Sequence, residues 1–309
     1  MPFLITGATG HLGRLVVEQL LAAGVPAGDI TATGRATDKI KDLADRGVQV
    51  RAVDFGDLGA VRAAVAGADR LLLVSAMEPG GRVVQHRNVI DAAREAGTGL
   101  VAYTSIVNAG STRIRLAADH QATEQLLRDS GVPYVLLRNS WYHENYTDRL
   151  PVFLAQGAIP GSAGQGRISA AARADYAAAA VQVLTTDGHA GQAYELGSDE
   201  PFTLAQLAAE ISAQSGKDVR YVNLPEAGYA KALKEHGVPE LMAGMIAETD
   251  AAAAHGALHT ASGDLTTLTG RAATTLSTAV GAALRAVRRQ ALEEDQGMER
   301  TVVPALPKP

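Results

Sequence analysis

The feature that most limits the fold is a glycine-rich turn close to the start of the chain, Thr6-Gly7-Ala8-Thr9-Gly10-His11-Leu12-Gly13. It follows the apolar run Phe3-Leu4-Ile5-Thr6. It opens a stretch in which Leu12, Val16, Leu20 and Ala23 recur at helical spacing. Glycines placed this way permit a tight strand-to-helix turn, bring backbone N–H groups up to a pyrophosphate, and let the helix pack close on the strand. The spacing is GxxGxxG rather than GxGxxG, and the physics is the same. A strand that runs straight into a helix through such a turn belongs in a parallel sheet.

The same alternation continues. Strands are expected at Ile30 to Thr33, Val48 to Val53, Leu71 to Ser75, Leu100 to Ser105 and Tyr134 to Leu137. Helices are expected between them, at Lys39 to Asp45, Leu58 to Val65, Gln85 to Ala96 and Ala117 to Ser130. The continuous apolar run Leu71-Leu72-Leu73-Val74 reads as a strand buried on both faces. The fold class is therefore α/β, a Rossmann-type doubly wound parallel sheet, with right-handed crossovers.

Beyond residue 140 the pattern loosens, and Pro151, Gly157, Pro160, Gly161, Gly164 and Gly166 punctuate the chain. Further helices are expected at Ala174 to Leu184, Leu204 to Ser215, within Pro225 to Ala254, at Thr266 to Thr269 and at Leu276 to Arg289. Short strands are expected near Gln192 to Leu196 and Val219 to Val222. This divides the chain into a dinucleotide-binding domain over 1–140, to which later segments return, and a smaller C-terminal α/β lobe over 141–290. The tail over 291–309, which mixes charge with proline, is expected to be disordered.

Composition removes whole classes of chemistry. With no cysteine there is no disulfide, thiolate metal site, iron–sulfur cluster or cysteine nucleophile. A net charge of -5 draws the chain toward neither nucleic acid nor an anionic membrane, and no nucleic-acid partner is expected. The short basic face of Arg285, Arg288 and Arg289 is followed at once by Glu293, Glu294 and Asp295 and reads as a solvated surface. No run approaches the length of a membrane span, and the N-terminus lacks a signal peptide's basic region and cleavage site, so a cytoplasmic protein is expected. His255 and His259 are spaced like a helical metal pair but have no third ligand, and no metal site is expected. The oligomeric state is not legible, and a homo-oligomer stays open.

The cofactor track follows from the strand ends. Thr6, Gly7, Thr9, Gly10, His11, Leu12 and Gly13 would cradle the pyrophosphate. An acidic residue at the end of the second strand selects NAD by bonding the ribose 2′-hydroxyl. Here Gly34 is followed by Arg35, a cation suited to a 2′-phosphate, which points to NADP(H). Asp54 and Phe55 close the third strand where an adenine would lie, and Ser75 and Ala76 close the fourth beside the cofactor's middle.

Several segments together carry a family resemblance. The glycine turn, Arg35, Gln85 to Ala93, Ala102-Tyr103-Thr104-Ser105, Arg173 to Ala178 and above all Leu137-Arg138-Asn139-Ser140-Trp141-Tyr142-His143-Glu144-Asn145-Tyr146 resemble the NmrA-like atypical short-chain dehydrogenases/reductases. Within that group the chain is most similar to the type-2 NAD(P)H:quinone oxidoreductases, with triphenylmethane reductase a near relative. The likeness runs from residue 1 to about 288. It implies an NADPH-dependent reductase with its active site between two lobes, passing hydride directly to a small-molecule quinone or similar conjugated acceptor without flavin or metal. It adds Tyr103 and Thr104 to the cofactor track.

One departure from ordinary short-chain dehydrogenases bears on mechanism. Their Tyr-x-x-x-Lys pair is missing: His120 stands in the lysine's register and Leu116 in the tyrosine's. A ketone reductase needs that tyrosine to protonate an alkoxide, whereas hydride addition to a quinone gives a delocalised hydroquinone anion. Asn139 is the candidate to hold the nicotinamide carboxamide or the acceptor's carbonyl, and His120 the candidate to orient substrate or relay a proton. Trp141, Tyr142 and Tyr146 are the candidates to wall a flat acceptor. Arg138 and Arg173 read as ion-pair partners. Two other readings stay open: an NADP(H)-binding redox sensor acting on a protein partner without turnover, and a reductase of a dye or a biosynthetic quinone or imine.

Overall fold

The computed structural model describes residues 1–75, 81–112 and 114–301. The first half runs β1 (Phe3–Ile5), α1 (His11–Ala22), β2 (Ile30–Gly34), α2 (Lys41–Asp45), β3 (Gln49–Ala52), α3 (Leu58–Val65), β4 (Arg70–Leu73), α4 (Arg82–Ala96), β5 (Leu100–Ile106), α5 (Arg115–Ser130) and β6 (Tyr134–Asn139). There follow α6 (Glu144–Thr147), α7 (Leu150–Gln156), β7 (Ala158–Gly161), α8 (Arg173–Thr185), β8 (Ala193–Leu196), α9 (Leu204–Ser215), β9 (Arg220–Asn223), α10 (Glu226–Glu235), α11 (Glu240–Ala253), α12 (Asp264–Thr269) and α13 (Leu276–Thr301).

Seven strands form one parallel sheet in the order β3-β2-β1-β4-β5-β6-β8. The expected doubly wound α/β architecture is what the chain adopts. Leu71, Leu72 and Leu73 are buried in the centre of the sheet, as their uninterrupted apolar run requires. One face buries Phe3, Ile5, Leu72 and Ala102 against α1 and α8. The other buries Leu4, Leu71, Leu73 and Tyr103 against α3, α4 and α5. The edge strand β3 is mostly exposed and carries Gln49 and Arg51, polar residues that discourage pairing with a further strand.

The second half contributes to both lobes. β8 pairs with β6, and α8 lies on α1, so these elements complete the large sheet. The smaller lobe is built from β7 and β9, paired parallel, with α7, α9, α10 and α11 around them. Its core, including Phe153, Ile159, Phe202, Leu207 and Ile211, is continuous with Ile106, Val107, Ile114 and Ala117 from the large lobe. The last helix continues to Thr301, past the expected boundary at 290, and residues 302–309 lie outside the described residues. Among the described residues no helix is long and apolar enough to cross a membrane.

Candidate active site

The strand order reverses between β1 and β4, and in such sheets ligands bind in the crevice beyond the strand ends at that point. The glycine turn lies there. Gly7 takes φ +62°, and a β-carbon on it would come within 3.2 Å of the Val74 side chain just past β4. A β-carbon on Gly13 would lie 2.5 Å from the Gly7 carbonyl oxygen, so only glycine lets α1 sit this close to the turn. Thr6 is buried, and its hydroxyl accepts a hydrogen bond from Val74 N at 2.9 Å, tying the ends of β1 and β4 together. Ala8 N donates to Thr33 O at 2.8 Å, which fixes the turn to β2 as well. Thr9 faces Gly34, where a β-carbon would collide with the threonine side chain. Gly10 and His11 are exposed, while Leu12 and Gly13 are buried. Gly10 caps α1 without a side-chain hydrogen bond, and the first turn holds no acidic residue. The free N–H groups and positive dipole end of this helix are thus available to an anion.

Arg35 and Lys39 are exposed just past β2. Arg14 of α1 reaches the same corner, donating to Lys39 O at 3.2 Å and pairing with Glu18 and Asp42. Past β3, Asp54 accepts from Gly56 N at 2.8 Å in a local turn, and Phe55 O accepts from the Asn88 side chain at 2.7 Å. Ser75 N donates to the Thr104 hydroxyl at 2.9 Å, placing both beside the crevice. Ala76 lies outside the described residues.

The Tyr103 side chain is fully buried in the layer between β5 and helices α4 and α5, with its ring edge-on to His86. The alternation of a strand explains this: Tyr103 and Thr104 point to opposite faces. The Tyr103 hydroxyl instead meets His120 Nδ1 at 2.8 Å. Burial and the nearby Arg82 guanidinium lower the His120 pKa to about 3, and burial with Arg82 does the same for His86. Both imidazoles are neutral at physiological pH, so His120 is no imidazolium acid.

At the end of β6, Asn139 is buried, and among the described residues its Oδ1 has no hydrogen-bond partner. A buried acceptor without a donor costs roughly 1–3 kcal/mol, and a bound carboxamide would satisfy it. Burial raises the Tyr142 phenol pKa, and the neighbouring Asn139 side chain pulls it back.

The three aromatic candidates do not form one wall. Trp141 and Tyr146 pack on the core shared by the two lobes, Tyr146 edge-on to Phe202 with centroids 6.0 Å apart. Tyr142 turns the other way, against Tyr176 at 5.3 Å and beneath the Arg173 guanidinium. The Tyr146 hydroxyl is buried without a partner among the described residues. Burial first, then the charge of Asp250, raise its pKa well above the usual phenol value. Asp250 is itself buried and accepts from Ser162 N. Burial raises its pKa to about 6 despite hydrogen bonds from Ser162 and Ala163.

Arg138 serves as an ion-pair residue. It donates to both Glu124 carboxylate oxygens, at 2.9 and 2.7 Å, and to Glu195 at 2.8 Å. Sequence reasoning gave no role to Glu124 and Glu195, which stand 14 and 57 residues from the arginine they pair with. It also missed Asp250, which no motif marks. His259 lies beyond the end of α11 and meets the Ser169 hydroxyl at 3.0 Å.

Comparison with known proteins agrees with this geometry. The profile of the NAD(P)H-binding family matches residues 7–187. Quinone oxidoreductase 2 of Escherichia coli is 48% identical over 276 residues, which cover 89% of this chain and 96% of the relative. A crystal structure of the NADPH-dependent quinone oxidoreductase from Escherichia coli complexed with NADPH matches with a TM-score of 0.88 at 47% identity, covering 91% of this chain and 99% of that one. The Citrobacter sp. triphenylmethane reductase complexed with NADP(H) matches with a TM-score of 0.87 at 37% identity, again covering 91% of this chain and 99% of the other. The crevice at the sheet's reversal, its glycine turn and these relatives lead to one assignment: the chain belongs to the NAD(P)H-binding family, as an NmrA-like atypical short-chain dehydrogenase/reductase.

Proposed function

We propose that this protein is an NADPH-dependent oxidoreductase of the cytoplasm that reduces a quinone or a closely similar conjugated acceptor. The observation that carries the reading is 48% identity to a quinone oxidoreductase across 96% of that enzyme's length. The uncapped N-terminus of α1 and the unpaired Asn139 Oδ1 fit a dinucleotide whose nicotinamide reaches the end of β6. When bound, NADPH supplies the hydride.

The protein's own residues do the rest. Backbone N–H groups from His11 to Gly13 hold the pyrophosphate, with Thr6, Gly7, Thr9 and Gly10 shaping the turn. Arg35 supplies positive charge for the 2′-phosphate, Asp54 and Phe55 border the adenine, and Ser75 and Thr104 line the middle of the track. Asn139 accepts from the carboxamide and so fixes which face of the ring meets the acceptor. Trp141 and Tyr146 give the acceptor an apolar, water-poor wall. Positioning supplies most of the rate enhancement, since a hydroquinone anion needs no strong acid for its release.

The test is NADPH oxidation by purified protein with simple benzoquinones and naphthoquinones. Saturable turnover is expected; tight NADPH binding with no turnover of any quinone would sink the reading. Because triphenylmethane reductase is 37% identical, the panel includes a triphenylmethane dye. Turnover of the dye but of no quinone would move the assignment to that class of acceptor.

A further inference from the structure

Two places in the proposed track take the cofactor's negative charge: the N-terminus of α1 and the corner past β2 that carries Arg35. The corner has little apolar anchorage of its own. Gly34 ends β2, and the exposed residues Arg35 and Ala36 lead into the tight turn Thr37–Ile40. No residue over 34–39 is buried. The next buried side chain is Ile40, which packs with Leu43 in the core under α1. Arg35 therefore stands in a span whose apolar contacts begin only beyond its two ends.

Arg14, in the first turn of α1, grips that span. Its Nη1 donates to Lys39 O at 3.2 Å and to Asp42 Oδ1 at 3.0 Å, and its Nη2 donates to Asp42 Oδ2. Its Nε donates at 2.9 Å to Glu18, one turn further along the same helix. One guanidinium thus holds a main-chain carbonyl of the span, both oxygens of a carboxylate in α2, and a carboxylate of its own helix. An exposed ion pair is ordinarily worth little. This one differs because the fork is bidentate and the planar group is fixed from three sides. The Arg14 fork also holds the Asp42 carboxyl below its ordinary range, so both partners stay charged at neutral pH.

We infer that Arg14 is a positioning residue for the 2′-phosphate: it clamps the span over 35–42 to α1, so that Arg35 keeps a set distance from the pyrophosphate-binding end of the same helix. Selectivity for NADPH over NADH follows, because a cation already held in place loses less conformational freedom when a phosphate arrives. Arg14 does this through Arg35 and touches no phosphate itself, since its own charge is matched by Asp42 and Glu18. The inference rests on the reading of Arg35 as the cation for the 2′-phosphate.

The test is fluorescence titration of the full-length protein with NADPH and with NADH, for the parent, Arg14→Lys, Arg14→Gln, Arg35→Gln and Arg14→Lys combined with Arg35→Gln. Lysine keeps the charge and loses the fork. Both Arg14 variants are expected to raise the NADPH Kd about fivefold and leave the NADH Kd within about twofold. Added to Arg35→Gln, Arg14→Lys is expected to cost less than about twofold more, because it acts through Arg35. Without cofactor, Arg14→Lys is expected to speed exchange of the Lys39 amide, which donates to Ala36 O at 3.2 Å. Parent-like NADPH binding in Arg14→Lys but not in Arg14→Gln would mean that charge alone acts, and overturns the inference. The full loss repeated in the Arg35→Gln background would make Arg14 a direct phosphate contact, and overturns it too. So do equal losses for both cofactors, or unchanged Lys39 exchange. A parent without preference for NADPH defeats the reading of Arg35 and this role with it. A selective parent with indifferent Arg14 variants defeats this role alone.

Discussion

At the scale of single residues, charge decides what each site can do. Arg35 is the cation that sequence alone offered for the 2′-phosphate, and it is exposed at the corner where Arg14 and Lys39 also gather. Arg35→Glu is expected to raise the Kd for NADPH at least tenfold and leave NADH within a few-fold, measured by fluorescence titration. Equal losses for both would remove Arg35 from that role. The buried titrating groups make a second prediction, in stability. His86 and His120 have pKa values near 3 in the fold, well below the ordinary histidine value of 6.5. As pH falls below 6.5 the unfolded chain takes up protons that the native chain refuses, and stability is lost. Asp250 acts with the opposite sign. Its carboxyl titrates near 6 in the fold against an ordinary 3.8, so between those values the native state binds a proton that the unfolded chain has released. Stability is gained as pH falls through that window, by on the order of 3 kcal/mol. Asp250→Asn removes the compensating gain, so its urea midpoint is expected to fall more steeply from pH 6 to pH 4.5 than that of the parent. Parallel slopes would contradict it.

At the scale of elements, α5, β6 and β8 are joined by one ionic network. Glu124 is 2% exposed, and burial alone would raise its pKa. Hydrogen bonds from Arg138, Ser105 and Arg128 win and hold it below the usual carboxylate range. Arg138 then passes the link to Glu195 on β8. Glu124→Gln keeps the shape and leaves Arg138 with half its partners in a partly buried site. It is expected to cost about 3 kcal/mol in chemical denaturation, and a change below about 0.5 kcal/mol would mean the network is solvated enough not to matter. The network also shows where sequence reading ran out. The strands and helices up to β6 were legible because apolar runs alternate with helical spacing, and the glycine turn with Arg35 marked the cofactor corner. Beyond residue 140 the signals shorten: α6, α7 and β7 span only Glu144–Thr147, Leu150–Gln156 and Ala158–Gly161. Pro151 and Pro160 read as breaks, yet Pro151 sits in the first turn of α7, where a missing N–H costs nothing. The directions of the Tyr103 and Tyr142 rings were not legible for a different reason. A motif names residues, but strand alternation and the turn after β6 decide which way each ring points.

At the scale of the whole molecule, the cleft depends on how the two lobes are held together, and Asn108 is the junction. It follows β5 with φ +57°, a left-handed conformation that asparagine tolerates. Its backbone N–H donates to Glu195 at 2.8 Å, while its side chain donates to Ala257 O at 3.3 Å and His259 O at 2.9 Å. The segment it grips is held from the other side as well: Ser140 Oγ and Ser169 N both donate to Leu258 O at 2.9 Å, and Thr260 N donates to Ser169 Oγ at 3.1 Å. Residues 257–260 thus clasp the ends of the sheet beside Asn139. Two substitutions separate the contributions. Asn108→Gly keeps the backbone conformation and loses the side-chain donors, for an expected cost of about 1–2 kcal/mol. Asn108→Ala loses the donors and adds a left-handed alanine, for about 1 kcal/mol more. Both are expected to speed amide exchange at Thr260 and raise KM for the acceptor, while NADPH affinity, set at the far end of the crevice, stays within about twofold. If Thr260 exchange is unchanged in either variant, the clasp does not hold the lobes and the cleft owes its shape to the shared apolar core alone.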